Sequence, residues 1–118
     1  MYTVIYLYQV KRDQEQLFLE INEKVSEIYL ANGALEDRVY RADNLQVKHG
    51  GLGLLDLISI ENHETIFFGQ SVFRNKSHYE EVMTLVNNDN QIKQLSNDIS
   101  ACIDLSTVVS SSFSTANS

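Results

Sequence analysis

Three observations predict an α+β fold, with one antiparallel four-stranded sheet carrying its helices on a single face. Apolar residues recur at strand-like spacing in four stretches of the 118-residue chain. They recur at helical spacing in two longer stretches and one short one. The main stretches run in the order strand, helix, strand, strand, helix, strand, which is the split βαβ, ferredoxin-like arrangement.

Each element has its own local reason. Residues 2–10, "YTVIYLYQV", are β-branched and aromatic, which favours a strand. Tyr2, Val4, Tyr6, Tyr8 and Val10 share one face; Thr3, Ile5, Leu7 and Gln9 share the other. Both faces are largely apolar, so both need covering. Asp13, with Gln16 three residues on, predicts the start of the first helix. Leu17, Phe18, Ile21, Val25, Ile28 and Tyr29 form its apolar stripe. Asn32-Gly33 ends it, with glycine where a left-handed residue is favoured.

Residues 34–43, "ALEDRVYRAD", read as a charged edge strand. Residues 44–63 read as a long excursion with three glycines and a short helical turn near Leu54 to Leu57. A third strand is expected over 65–73. Ser77 and Glu80 form an S-x-x-E capping box that opens the second helix. Val82, Met83, Leu85 and Val86 supply its apolar side, and "NNDN" at 87–90 breaks it. Ile92, Leu95 and Ile99 suit a short third helix. The last strand is expected from about Ile103 to Phe113, with a frayed tail over 114–118. We read residues 1–118 as a single domain.

The bulk composition excludes some functions. The formal charge is −7 and the nine Lys and Arg are scattered, which argues against nucleic-acid or anionic-membrane partners. No apolar run reaches membrane-spanning length, and the N-terminus lacks a basic leader region. One cysteine, Cys102, cannot form an internal disulfide, which fits a reducing cytoplasm. With helices on one face, the other sheet face stays apolar. The economical cover is a second copy, giving a homodimer through the sheet face.

Four stretches carry a resemblance: the opening strand, "NGALEDRVYRADN" (32–44), "HETIFFGQSVFRNKSHYEEVMTLVNND" (63–89) and "IDLSTVVSSSF" (103–113). Together they resemble the YbaA-like bacterial proteins of unknown function, members of the dimeric α/β-barrel superfamily. The chain departs from that pattern at three places. Ser111-Ser112 replaces Gly-Gly, Asn90 replaces Pro, and Leu105-Ser106-Thr107 replaces a Gly-Lys-Arg stretch, removing a basic patch. The resemblance implies the dimeric barrel and no particular chemistry.

Candidate site residues remain, each with two readings. His78 suits proton transfer near neutral pH, or it is a first-turn helix residue beside a cap. Tyr40, Arg38, Arg41 and Asp43 could line a barrel mouth and hold a small anion, or act as edge-strand charges and cross-strand pairs. Tyr2, Tyr6 and Tyr8 could face a planar ligand or pack the dimer interface. Phe67 joins Tyr6, His78 and Tyr40 around a site expected either between helices and sheet or inside the barrel. A metal set of Asp43, Glu61 and His63, with His49 near the same excursion, matches no dedicated motif, and we expect no metal and no cofactor. Gly50 to Leu55, "GGLGLL", lacks the context of a phosphate loop. Cys102 reads as a buried, inert thiol.

Two functions follow. One is a non-enzymatic dimer, stress-related or binding a small molecule. The other, by analogy within the superfamily that the resemblance implies, is a cofactor-free enzyme of monooxygenase or isomerase type acting on a small organic substrate.

Overall fold

The computed structural model describes residues 1–116. Four strands form one antiparallel sheet: β1 (Tyr2–Lys11), β2 (Glu36–Arg41), β3 (Glu64–Phe73) and β4 (Val109–Ser114). Three helices accompany them: α1 (Glu15–Ala31), α2 (Lys76–Asn87) and α3 (Ile92–Ile99). The sheet order is β2-β3-β1-β4, so β1 and β3 are central and β2 and β4 are edges. This is the ferredoxin-like arrangement that the alternation of patterns predicts.

The core lies between the sheet and the helices. Phe18, Phe67, Phe73, Val10, Val82, Val86 and Cys102 are fully buried there. Phe18 from α1 meets Phe67 of β3 and Tyr8 of β1, with ring centroids 5.2 and 5.3 Å away. Burying an aromatic side chain of that size stabilises by about 2–3 kcal/mol. Leu17, placed on the buried stripe by spacing, is 44% exposed, because the stripe centres on Phe18, Ile21 and Ile28.

Register fixes the two faces. Val4, Tyr6 and Tyr8 pair with Ser71, Gly69 and Phe67, and these residues face the helices. Tyr40, Phe68, Leu7 and Val109 form one row across all four strands on the opposite face. Tyr40 and Phe68 touch there, ring centroids 5.9 Å apart. Val109, Tyr40 and Phe113 are 47%, 45% and 58% exposed.

Several local expectations need correction. Asp13 caps nothing: Arg12–Gln14 form a 3-10 turn and α1 begins at Glu15 without a side-chain cap. The turn is held by the Arg12 N–H, which donates to the His63 carbonyl at 2.8 Å. At α2 the cap is Asn75, not Ser77. The Asn75 Oδ1 accepts from the His78 N–H at 2.8 Å, so the helix starts at Lys76. The last strand starts at Val109, not near Ile103. Ile103 makes only an isolated bridge with Val10. Asp104 then accepts from the Ser106 N–H at 3.0 Å and from its hydroxyl at 2.7 Å, turning the chain through Leu105–Thr107.

The tail expected to fray from 114 is held further. Ser114 ends β4, and the Thr115 N–H donates to the Met1 carbonyl at 2.9 Å. Residues 117–118 lie outside the described residues. Gly33 has φ of +110°, and the Ala34 N–H donates to the Tyr29 carbonyl at 3.0 Å. That is the left-handed helix ending for which glycine is suited.

Candidate functional site

A cleft of about 330 Å³ opens between the sheet and the helices. That lies within the usual range for small-molecule sites. β1 supplies Tyr6 and Tyr8. α1 supplies Asn22, Val25 and Tyr29, which share a face at spacings of three and four. β2 supplies Asp37, β3 supplies Gly69 and Ser71, and α3 closes one side with Ser96 and Ile99.

Asp37 owes its place to register. It pairs across from Ser71, and the Ser71 hydroxyl donates to its carboxylate. The Ser26 hydroxyl on α1 donates to the Asp37 carbonyl at 2.8 Å, tying the edge strand to the helix. Burial pushes the Asp37 carboxyl above the ordinary carboxylate range, partly offset by hydrogen bonds from Ser71 and Ser26. Among the described residues it forms no ion pair.

The tyrosines behave consistently. Burial raises all three phenols first, then the company of other acidic groups: Tyr79 leads these for Tyr6, and Tyr6 leads them for Tyr8 and Tyr29. They therefore stay protonated near neutral pH and can donate or accept. Among the described residues their hydroxyls make no hydrogen bond to protein, and no buried side-chain polar atom lacks a partner. The three hydroxyls must therefore reach solvent or a ligand.

Gly69 makes the room. A side chain there would meet Tyr8 Cε2 at 3.0 Å and Tyr6 at 3.6 Å. Tyr6 and Tyr8 lie nearly parallel along β1, with centroids 5.8 Å apart and planes 19° apart.

The structure scatters the residues singled out from sequence. Tyr6 is in the cleft, on the helix side of the sheet, and so does not pack the open face that a dimer would use. Tyr2 and Tyr8 share that side, against Tyr79 and Phe18. Arg38 borders the cleft, although its guanidinium lies 3.9 Å from Glu36 and is largely exposed. Tyr40 is on the open face. Arg41 turns the other way, pairing with Glu15 and lying 5.0 Å over the Phe67 ring. Phe67 is a core residue, 1% exposed. Asp43 is exposed beyond the end of β2.

His78 is buried outside the cleft. Its Nδ1 accepts the Arg74 N–H at 3.0 Å, and its ring meets Phe73 edge-on at 6.0 Å. Asp43, Glu61 and His63 do not gather: among the described residues no three His, Cys, Asp or Glu side chains are placed to hold a metal ion. Cys102 is fully buried, which pushes its thiol up.

Sequence reasoning missed Asp37, Tyr29, Asn22 and Ser71 as a group. One signal was available: Asp37 shares an inward phase with Val39 on β2. An acid at an inward strand position marks either a partner or a site.

Residues 1–102 match a protein family of unknown function, DUF1428. The chain belongs to that family. No curated protein matches it. Among solved structures it is similar to an uncharacterized NIPSNAP domain protein from Burkholderia xenovorans, at 15% identity and a TM-score of 0.63, covering 98% of this chain and 95% of that one. An antibiotic biosynthesis monooxygenase matches at 11% identity and 0.61, covering 98% of both chains. A dimeric ferredoxin-like protein from an uncultured marine organism matches at 10% and 0.55, covering 95% and 90%. At these identities the likeness establishes the ferredoxin-like fold. Among the described residues no helix is long and apolar enough to cross a membrane.

Asp37 also makes a stability prediction. Its folded carboxyl binds a proton more tightly than the unfolded one. Stability tied to it is therefore full below the ordinary carboxylate range and is lost as pH rises through the raised folded value. The Asp37→Asn variant, which keeps an acceptor for Ser71, should melt roughly 2–5 °C higher at pH 7. The difference should vanish below about pH 4. Thermal unfolding of both proteins at the two pH values measures this. A variant less stable at pH 7 would show that the charge is compensated.

Proposed function

We propose that this protein is a YbaA-like, cytoplasmic homodimer that binds a small organic molecule in the helix–sheet cleft. The observation that carries the binding role is the lining: three tyrosines whose hydroxyls have no protein partners, together with Asp37, border a volume suited to a small molecule. The dimer reading rests on the apolar row Tyr40, Phe68, Leu7 and Val109, and on β4, whose six residues are all exposed. A dimeric ferredoxin-like protein among the solved neighbours supports it. The lone buried cysteine fits a reducing compartment.

A cofactor-free enzyme is the second reading, and Asp37 favours it. A carboxyl held up by burial, hydrogen-bonded to Ser71 and next to an open cleft is suited to accept or return a proton. One solved neighbour is an antibiotic biosynthesis monooxygenase.

Thermal-shift screening of a diverse small-molecule panel, followed by native mass spectrometry, tests the binding role. At least one compound should stabilise the protein and bind at one molecule per subunit. A panel with no stabilising compound, together with native spectra free of ligand, would sink it. Conversion of a stabilising compound by the wild type, abolished in the Asp37→Asn variant, would select the enzymatic reading.

A further inference from the structure

The charge distribution around the cleft says more about its ligand. Asp37 is the acidic side chain in the lining, and Arg38 the basic one. Among the described residues the arginine forms no ion pair with the aspartate. The described ion pairs are Arg38 with Glu36, Arg41 with Glu15 and Lys48 with Asp56. A neighbouring depression shares Asn22, Asp37 and Arg38 with the cleft and adds Glu23 and Glu27. The local field on the Asp37 side is therefore negative.

The aromatic lining has a complementary property. Tyr6 and Tyr8 lie nearly parallel on one wall, and Tyr29 projects from α1 on the other. Aromatic faces attract cations through their quadrupole. A partly buried carboxylate without a counter-ion is costly, and the natural compensation is a positive charge brought by the ligand. An anionic ligand would meet Asp37 and the negative neighbours. A neutral one would leave the carboxylate uncompensated.

We propose that the ligand of this cleft carries a positively charged nitrogen, a protonated amine or quaternary ammonium, held between the Asp37 carboxylate and the tyrosine rings. The inference rests on the reading of the cleft as a ligand site and deepens it.

Three probes sharing one aromatic ring separate head-group charge from shape: phenethylammonium, 2-phenylethanol and 3-phenylpropionate. Isothermal titration of the wild type should show phenethylammonium binding at least tenfold tighter than either other probe. The Asp37→Asn variant should lose that preference. The Tyr29→Phe variant, which keeps the ring, should retain it, and the Tyr29→Leu variant should weaken it. Circular dichroism confirms that each variant is folded.

Equal or tighter binding of the alcohol or the carboxylate would overturn the cation assignment and leave the cleft as a ligand site. Absence of binding by all three probes would also overturn it; the diverse-panel screen then judges the binding role separately.

Discussion

Aspartate placed at both Leu7 and Phe113 is expected to convert the proposed dimer into a folded monomer. Both residues lie on the sheet face away from the helices, Leu7 in the row with Phe68 and Val109 and Phe113 opposite Thr3. Phe113 is 58% exposed in the single chain and Leu7 is half-buried outside the core cluster, so the substitutions spare the protomer core. Across a face-to-face sheet interface they would put unpaired carboxylates into an apolar centre. Each such burial costs about 3–5 kcal/mol. The dimer should weaken by at least a hundredfold, roughly 2.7 kcal/mol. Sedimentation velocity at micromolar concentration should show twice the chain mass for the wild type and the chain mass for the variant. A monomeric wild type, or a variant that stays dimeric, would show that the open face does not hold two copies together.

The Gly69→Val variant is expected to abolish binding of any compound that stabilises the wild type. Gly69 sits on β3 opposite Tyr6, and even one added carbon approaches the Tyr8 ring at 3.0 Å. Valine adds two further methyls on the cleft side. Overpacking of this kind costs about 1–3 kcal/mol, partly offset here by the strand preference of valine. The variant should therefore fold, melt somewhat lower, and lose at least tenfold in affinity. The Gly69→Ala variant should lie between the two. Unchanged affinity in the valine variant would place the bound molecule elsewhere.

These two tests probe opposite faces of one sheet, and the chain's pattern distinguishes the faces only in part. Alternation correctly groups Tyr2, Tyr6 and Tyr8, since successive side chains on a strand point to opposite sides. It cannot say which side the helices will cover. The helices pack over the tyrosines, so Tyr6 and Tyr8 line the cleft and Tyr2 packs on Tyr79, and none of the three is left for a dimer interface on the open face.

Local competition explains the misplaced boundaries. Asn75 and Ser77 are both good caps two residues apart, and the extended backbone at Asn75 is the one that presents an oxygen to the helix. Ile103 extends the apolar run of the last strand on paper. The Asp104 side chain captures Ser106 and ends that run five residues before β4 begins.

Strand and helix periods, the glycine ending of α1 and the order of elements were legible along the chain because they depend on neighbours a few residues apart. They suffice for the ferredoxin-like fold. The cleft was not legible, because its parts are distant in sequence. Asp37 and Ser71 stand 34 residues apart and meet through the pairing of β2 with β3. Tyr29 joins them only when α1 lies back across the sheet. Burial then perturbs Asp37 and the three phenols, and burial is a property of the packed chain. A lone aspartate on an edge strand carries no sign of the aromatic surroundings that tertiary packing gives it.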